Sequence, residues 1–334
     1  MQSASTDCPW VRIIIVNYNS GALLSACVDS LAAQTMADFE VVIVDNASSD
    51  GSADALRLPD ARFRLLRAPT NLGFAAANNL AAKDCSAPWI LTLNPDTEAR
   101  AAMLEAFRRG TGRYPDAAMF GATLLDAADP AIVDGLGDEL SIVGIPWRGG
   151  HGQPAADVAI GDAQVFSPCA AAALYARECF QREGGFDELF FCYLEDVDLG
   201  FRLRLSGEQC VNLGEAVVLH HGSAISGRNS SFTLYHSFRN RLWLIFKDMP
   251  ALLLLIALPA NLVCSLILLA KFDAASRRAA FKGLAHGLRP PRELFRSRRR
   301  IQSQRRVRTA DVARMLSWNL ARLRSKAPPK GVGS

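Results

Sequence analysis

Neither a G-x-x-x-x-G-K loop followed by Ser or Thr nor a G-x-G-x-x-G turn occurs in the 334 residues. Their absence excludes P-loop nucleotide hydrolases and ordinary dinucleotide-dependent dehydrogenases. The eight cysteines form no C-x-x-C pair and no zinc-like spacing. They read as small buried hydrophobes in a reducing compartment, not as a disulfide framework. The first nine residues lack the basic and apolar regions of a signal peptide, so the expected catalytic body is cytosolic. Charge of one sign is scarce at one end. From Lys271 onward there are 18 Lys/Arg against 3 Asp/Glu, a net of +15, whereas the rest of the chain carries −11. An acidic body with a basic tail predicts an anionic partner for the tail.

What is present begins with short apolar runs that end in polar loops. Val11–Val16 reads as a buried strand ending at Asn17-Tyr18-Asn19, and Phe39–Val44 as a second strand ending at Asp45. Phe63–Arg67 precedes Asn71-Leu72-Gly73-Phe74, and Trp89–Leu93 runs into Asn94-Pro95-Asp96. Helical spacing over Ser20–Thr35 separates the first two strands. Strands alternating with helices predict an α/β doubly wound sheet, mostly parallel, with ligands at the carboxyl ends of the strands. Any one Asn/Asp-rich loop is ordinary turn chemistry; three on one edge predict a nucleotide site. Residues 98–109 read as a surface helix, 126–161 as a long irregular excursion rich in Gly, Pro and Asp, and 209–212 and 217–219 as two strands before His220-His221.

A carboxylate directly after a strand, such as Asp96, suits a hard cation that also contacts phosphate oxygens. Phe190–Gly207 sets Glu195, Asp196 and Asp198 within four residues at the mouth of a helix. Asp198 and Arg202 are spaced i, i+4, which suits a structural ion pair. Alternatives remain open on the residues alone. Asp45 could close a turn, Asp96 could cap a helix, His220 could be a packed core histidine, and Glu195 or Asp198 could serve the helix dipole.

The segments VNYNS (16–20), VDNASSDGS (44–52), NLGFAAANN (71–79), LNPD (93–96), GGFDELFFCYLEDVDLGFRLRLSG (184–207), HHGSAISG (220–227) and YHSFRNRLWLIFK (235–247) follow in an order that resembles the family 2 glycosyltransferases. The resemblance is to the rhamnosyltransferase-like branch that builds bacterial surface polysaccharide, lipopolysaccharide included, and it covers about residues 11–247. It implies a GT-A fold: a Rossmann-like, mostly parallel sheet flanked by helices. It implies Asp196 as catalytic base with Glu195 beside it. It implies nucleotide-sugar contacts from Asn17, Asp45, Asn71, Asn78, Asn94 and, on the diphosphate, Arg239. Asp96 and His220 would hold Mg²⁺ or Mn²⁺, with the adjacent His221 as rival ligand. Asn94 stands where the family's D-x-D motif has its first Asp, and CAAAALY (169–175) stands where the family usually has Gly or Ser. The implied reaction is inverting transfer of a sugar, such as rhamnose or another deoxyhexose, from a nucleotide diphosphate sugar to a polyprenyl-diphosphate- or lipid-linked saccharide. The rival functions are a nucleotidyltransferase of related fold and a non-catalytic membrane-bound scaffold.

Met249–Ala270 is 22 residues without a charge, long enough for a membrane span. A single crossing would separate the cytosolic body from the basic tail, against the positive-inside rule. Pro259-Ala260-Asn261 divides the run, so the expectation is a re-entrant or interfacial helical hairpin, with a soluble hairpin as alternative. The basic tail would lie on an anionic membrane surface. It shows no interleaved aromatics, so nucleic acid is not expected as its partner. The expected division is a flexible 1–10, a GT-A domain at 11–247, an apolar hairpin and basic helical region at 248–324, and a disordered 325–334. The expected location is the cytoplasmic face of the inner membrane, peripheral or re-entrant.

Overall fold

The structure, a computed structural model, describes residues 8–222 and 230–332. The strands are β1 (Val11–Asn17), β2 (Phe39–Asp45), β3 (Phe63–Arg67), β4 (Trp89–Leu93), β5 (Thr97–Ala99), β6 (Ala117–Asp126), β7 (Val133–Gly135), β8 (Asp138–Leu140), β9 (Pro146–Arg148), β10 (Ala163–Gln164), β11 (Ala172–Ala176), β12 (Gln209–His220) and β13 (Lys330–Gly331). The helices of the body are α1 (Leu23–Ala32), α2 (Ser52–Ala55), α3 (Gly73–Ala82), α4 (Met103–Arg113), α5 (Arg177–Arg182) and α6 (Glu195–Leu205). Those that follow are α7 (Ser231–Asp248), α8 (Ala251–Lys271), α9 (Ala274–Gly287), α10 (Arg292–Gln304), α11 (Thr309–Met315) and α12 (Leu320–Ser325).

One sheet runs in the order β13-β10-β12-β6-β11-β4-β1-β2-β3. β4, β1, β2 and β3 are mutually parallel, as are β6 and β12, and β11 is wedged antiparallel between the two sets. Every residue of VRIIIVN in β1 is buried, because helices cover both faces of this sheet. α1 and α4 close one face over Leu24, Val28, Leu31 and Phe107, and α3 and α6 close the other over Ala77, Ala81, Leu199 and Leu203. The parallel registers pair Asn17 with Asp45 and Asp45 with Arg67, so three loops leave the sheet at one level.

The structure departs from the expected elements in five places. Residues 97–99 form a strand that pairs with β12, and the helix begins only at Met103. Residues 209–220 are one strand rather than two, with a register shift between Leu213 and Val217 that produced the break in the pattern. The irregular 126–161 segment contains β7 and the β8–β9 hairpin. The apolar run is a single continuous helix, α8, with Pro259 inside it, so the expected turn of a hairpin is absent. Packing of Leu253, Ala257, Asn261, Ser265 and Leu269 against the rest of the protein holds that helix straight through the proline. The tail, expected to be disordered, is ordered as far as residue 332: β13 pairs with β10, and the carbonyls of Lys326 and Ala327 accept from Gly150 N and Trp147 Nε1. Near the other terminus, Trp10 N donates to Asp38, while residues 1–7 lie outside the described residues.

Candidate active site

The carboxyl edge of the parallel strands gathers the first group of candidate residues. Asn17 Nδ2 donates to Asp45 Oδ1 at 3.1 Å and to Ser52 Oγ at 2.9 Å. Both Asn17 and Asp45 are buried, and Arg67 Nη1 lies 4.0 Å from Asp45 Oδ2. Asn71 accepts from Asn46 Nδ2 and from Gly73 N, which shapes the turn into α3. Asn78 is buried in α3 and bonds back to the Phe74 carbonyl, leaving its Oδ1 without a partner. Asn46, not singled out in the sequence, ties the second loop to the third by accepting from Leu72 N.

The second group forms where β12 meets β5. Pairing of His220 with Thr97 carries the histidine to Asp96. Asp96 Oδ1 is buried without a hydrogen-bond partner, and His220 Nε2 stands 3.5 Å from it. His220 Nδ1 lies 2.7 Å from Asp134 Oδ2, which pins the ring and turns Nε2 toward Asp96. Burial alone would lower the His220 imidazole, but the hydrogen bond to Asp134 and the nearby Asp96 carboxylate outweigh it and raise its pKa. Asp134 sits well below the usual carboxylate range: burial opposes ionisation, but hydrogen bonds from His151 and His220 and the nearby Arg148 prevail. Two carboxylates face one imidazole, and one carboxylate oxygen is unsatisfied. That donor set fits a divalent cation. His221 turns away, with Nε2 2.9 Å from Glu98, so the geometry favours His220 of the two. Asp96 precedes a strand, so it caps no helix.

The third group lines a cavity of about 280 Å³ bordered by Asn94, Asp138, Arg148, Cys169, Glu195 and Asp196. Asp196 Oδ2 accepts from Ala170 N at 3.0 Å and Oδ1 from Val197 N at 2.8 Å. Burial raises its pKa, and those N–H groups and Arg148 only partly offset it. Glu195 is pushed well above the usual range by burial and by Asp196. A carboxyl, a thiol and a second carboxyl, from Asp138, Cys169 and Asp196, place one ligand atom each within 4.8 Å of one another. Asp138 is raised well above the usual range by burial and by Asp196.

The loop entering α6 is strained. Phe191, Tyr193 and Leu194 have φ of 65°, 71° and 68°, values that cost non-glycine residues energy. Gly73 makes this path possible, because a Cβ there would lie 2.5 Å from the Phe191 ring and 2.6 Å from its carbonyl oxygen. The loop is held from α7. Asn240 Nδ2 donates to the carbonyls of Phe190, Cys192 and Tyr193 at 3.0, 2.9 and 2.7 Å. Arg239 donates to the carbonyls of Leu189 and Phe190 and stacks over Trp243. Its contacts therefore hold the loop. Residues 223–227 of the HHGSAISG segment lie outside the described residues.

The opposite side of α6 is fully buried. Arg202 Nη2 meets Asp198 Oδ2 at 2.8 Å, and Lys247 Nζ contacts both Asp198 and, at 2.6 Å, Asp187. Burial alone would raise Asp198, yet Lys247 and Arg202 hold it below its usual value.

Asp134, Asp138, Arg148 and Cys169 were not found from the sequence as site residues. The first three belong to the stretch with no periodic pattern, and Cys169 read as a buried hydrophobe. The signal that could have found them is the run of Asp-Gly and Gly-Asp turns at 134–138 followed by Trp147-Arg148-Gly149-Gly150.

The sequence model of Glycosyl transferase family 2 matches residues 12–123, which span the first four strands and reach through Asp96 into β6. The chain carries a family 2 glycosyltransferase domain. An N-acetylglucosaminyl-diphospho-decaprenol L-rhamnosyltransferase of Mycobacterium tuberculosis (strain ATCC 25618 / H37Rv) is 28% identical over 242 residues, 65% of this chain and 78% of that protein. The O-antigen biosynthesis protein RfbC of Myxococcus xanthus is 31% identical over 226 residues, 65% of this chain but 18% of that protein. Among solved structures, S. aureus TarS 1-349 superposes with a TM-score of 0.54 at 13% identity, covering 88% of this chain and 87% of that one. The mannosyltransferase PcManGT from Pyrobaculum calidifontis, in complex with GDP-Man and Mn²⁺, gives 0.53 at 16% identity, covering 90% and 86%. The family 2 match identifies a glycosyltransferase, and the structural likenesses show the GT-A fold expected from the sequence.

Proposed function

We propose that this glycosyltransferase moves a sugar, with inversion, from a nucleotide diphosphate sugar to a polyprenyl-diphosphate- or other lipid-linked saccharide in surface-polysaccharide assembly. The observation that carries the reading is the meeting at one sheet edge of the Asp96–His220 pair, Asn94 and the half-buried carboxylate Asp196. The mycobacterial relative's name supports both a rhamnose donor and a polyprenyl acceptor. The Mn²⁺ of the Pyrobaculum mannosyltransferase supports a divalent cation, Mg²⁺ or Mn²⁺, which Asp96 and His220 would hold. When bound there, the cation would neutralise charge on the departing diphosphate. The family match favours glycosyl transfer over nucleotidyl transfer and over a silent scaffold.

The nucleotide would lie along Asn17 and Asp45, with Asn71 and Asn78 shaping the adjoining wall. Asp196 takes the proton of the acceptor hydroxyl while that oxygen bonds to the anomeric carbon. The bond from that carbon to the diphosphate oxygen breaks on the opposite face, and nucleoside diphosphate leaves. One base suffices, because diphosphate is already a good leaving group. Glu195, whose pKa burial and the neighbouring Asp196 push well above its usual value, shapes the pocket beside the base. A nucleotide-sugar donor supports a body on the cytoplasmic side of the membrane.

The test is Asp196→Asn. A general base contributes about 10²–10⁴-fold, so turnover should fall by that factor while nucleotide-sugar affinity by calorimetry stays within about twofold. Near-normal turnover would overturn the assignment.

A further inference from the structure

α8 is the one helix among the described residues long and apolar enough to cross a membrane. Its two sides differ. Leu252, Leu255, Ile256, Val263, Leu266 and Ile267 are between 47% and 74% exposed, and their spacing puts them on one face with Pro259. Leu253, Ala257, Asn261, Ser265 and Leu269 form the buried stripe opposite.

That buried stripe is polar at its centre and fastened to the catalytic body. Arg241 of α7 donates to Ser265 Oγ at 2.6 Å, and Asn261 Nδ2 donates to the Val143 carbonyl at 2.7 Å. Val143 belongs to the β8–β9 hairpin, whose strands carry the cavity residues Asp138 and Arg148. α7 also carries Asn240, which holds the strained loop, and Lys247, which pairs with Asp198. A crossing α8 would draw this stripe and its charged neighbours into hydrocarbon, which an arginine in particular resists. Pro259 has no N–H to give the Leu255 carbonyl, so that acceptor needs water or headgroups near it.

The surroundings of the exposed face are basic. α9 packs on both α7 and α8, and its exposed Arg278, Phe281 and Lys282 share one stripe. Lys271 closes α8, and exposed Arg292, Arg296 and Arg299 follow on α10 beside Phe295. An apolar face on a helix that ends in Lys271 and packs against the basic α9 matches the chemistry of an anionic bilayer surface.

We propose that α8 lies in the plane of an anionic lipid surface, with its exposed apolar face embedded in one leaflet and no crossing. This deepens the lipid-linked-acceptor reading and rests on it. The hydrogen bond from Asn261 ties the embedded helix directly to the hairpin that borders the candidate pocket.

The test is flotation of the full chain with vesicles of phosphatidylcholine containing phosphatidylglycerol, against phosphatidylcholine alone. The chain should float with the anionic vesicles and much less with the neutral ones. Leu255→Glu with Leu266→Glu should weaken partitioning by at least about tenfold. These positions are exposed, so nucleotide-sugar binding should persist and report a folded protein. Should that variant fail to fold, Arg278→Gln with Lys282→Gln should still reduce the preference for anionic vesicles. Trypsin added outside should cut vesicle-bound protein in both body and tail. Absence of vesicle binding, indifference to the leucine substitutions in a folded variant, or protection of the tail would each overturn the proposal. Transfer to a detergent-dispersed acceptor reports the catalytic reading separately. Loss of transfer with vesicle binding intact would sink that reading, and transfer without vesicle binding would sink only this one.

Discussion

Asp196 and Asp198 are two residues apart on α6, yet their surroundings are opposite: Asp198 is fully buried and Asp196 only partly. Asp196 borders a cavity, is held by two backbone N–H groups and is raised above its usual pKa by burial. Asp198 faces Arg202 and Lys247, which hold it below its usual value against the effect of burial. A helix turns about 100° per residue, so positions two apart point to opposite sides. One side meets the pocket and the strained 191–194 loop; the other meets α7. The lesson is that burial alone does not mark a catalytic carboxylate. Cationic partners mark Asp198 as structure, and their scarcity leaves Asp196 desolvated and basic.

The comparison breaks most sharply at Asp198. Replacing it with Asn leaves Arg202 and Lys247 buried without their shared counter-charge, although Asp187 still pairs with Lys247. Removing one partner of such a cluster typically costs about 3–5 kcal/mol, so Asp198→Asn should lower the denaturant midpoint strongly. A midpoint equal to that of the parent would show that the network is replaceable. Nucleotide-sugar affinity, measured where the variant is still folded, should change little.

On the pocket side the largest remaining effect is expected from Asn240, which acts through the loop rather than on substrate. Its amide donates to three carbonyls of a backbone path with three left-handed residues. Asn240→Ala should let that path relax and displace Asp196, lowering kcat by about 10–100-fold. KM for the nucleotide sugar should hold, since Asn17 and Asp45 belong to another loop. Equal changes in kcat and KM would contradict a positioning role.

Asp134 offers a finer test. It orients His220 through Nδ1, and loss of such a partner typically weakens metal affinity by about 10–100-fold. Asp134→Ala should show that loss for Mn²⁺ in a calorimetric titration, independent of turnover. Unchanged Mn²⁺ affinity would remove His220 or its orientation from the metal site.

Much of this arrangement was legible in the sequence because it sits at ends of periodic segments. The runs VRIIIV, FEVVIV and WILTL place Asn17, Asp45 and Asn94 at strand ends, and i, i+4 spacing pairs Asp198 with Arg202. Asp134, Asp138 and Arg148 were hidden because short two- and three-residue pairings carry no repeating pattern. Lys247 and Asn240 lie in a segment that was quoted, but their partners are 49 and 47 residues or more away in the chain, at Asp198 and Tyr193. Pro259 misled for a physical reason: a proline breaks an isolated helix, whereas packing on α7 holds this one together.

The smallest expected effect bears most directly on the contrast within α6. An unfolded aspartate titrates near about pH 3.9. The native Asp196 pKa is higher, so between the two values the folded state holds more protons and stability falls as pH rises. Above the native pKa that deficit is complete and constant. Asp196→Asn removes the ionisable group, so the variant should be more stable than the parent at neutral pH, read as a higher Tm. The gain should vanish below about pH 4, where both states of the parent are protonated. Asp198→Asn should show the reverse sign: its deficit is full at neutral pH and shrinks as acid protonates the parent. An Asp196→Asn variant less stable than the parent at neutral pH would mean that its bonds to Ala170 and Val197, rather than desolvation, dominate at this position.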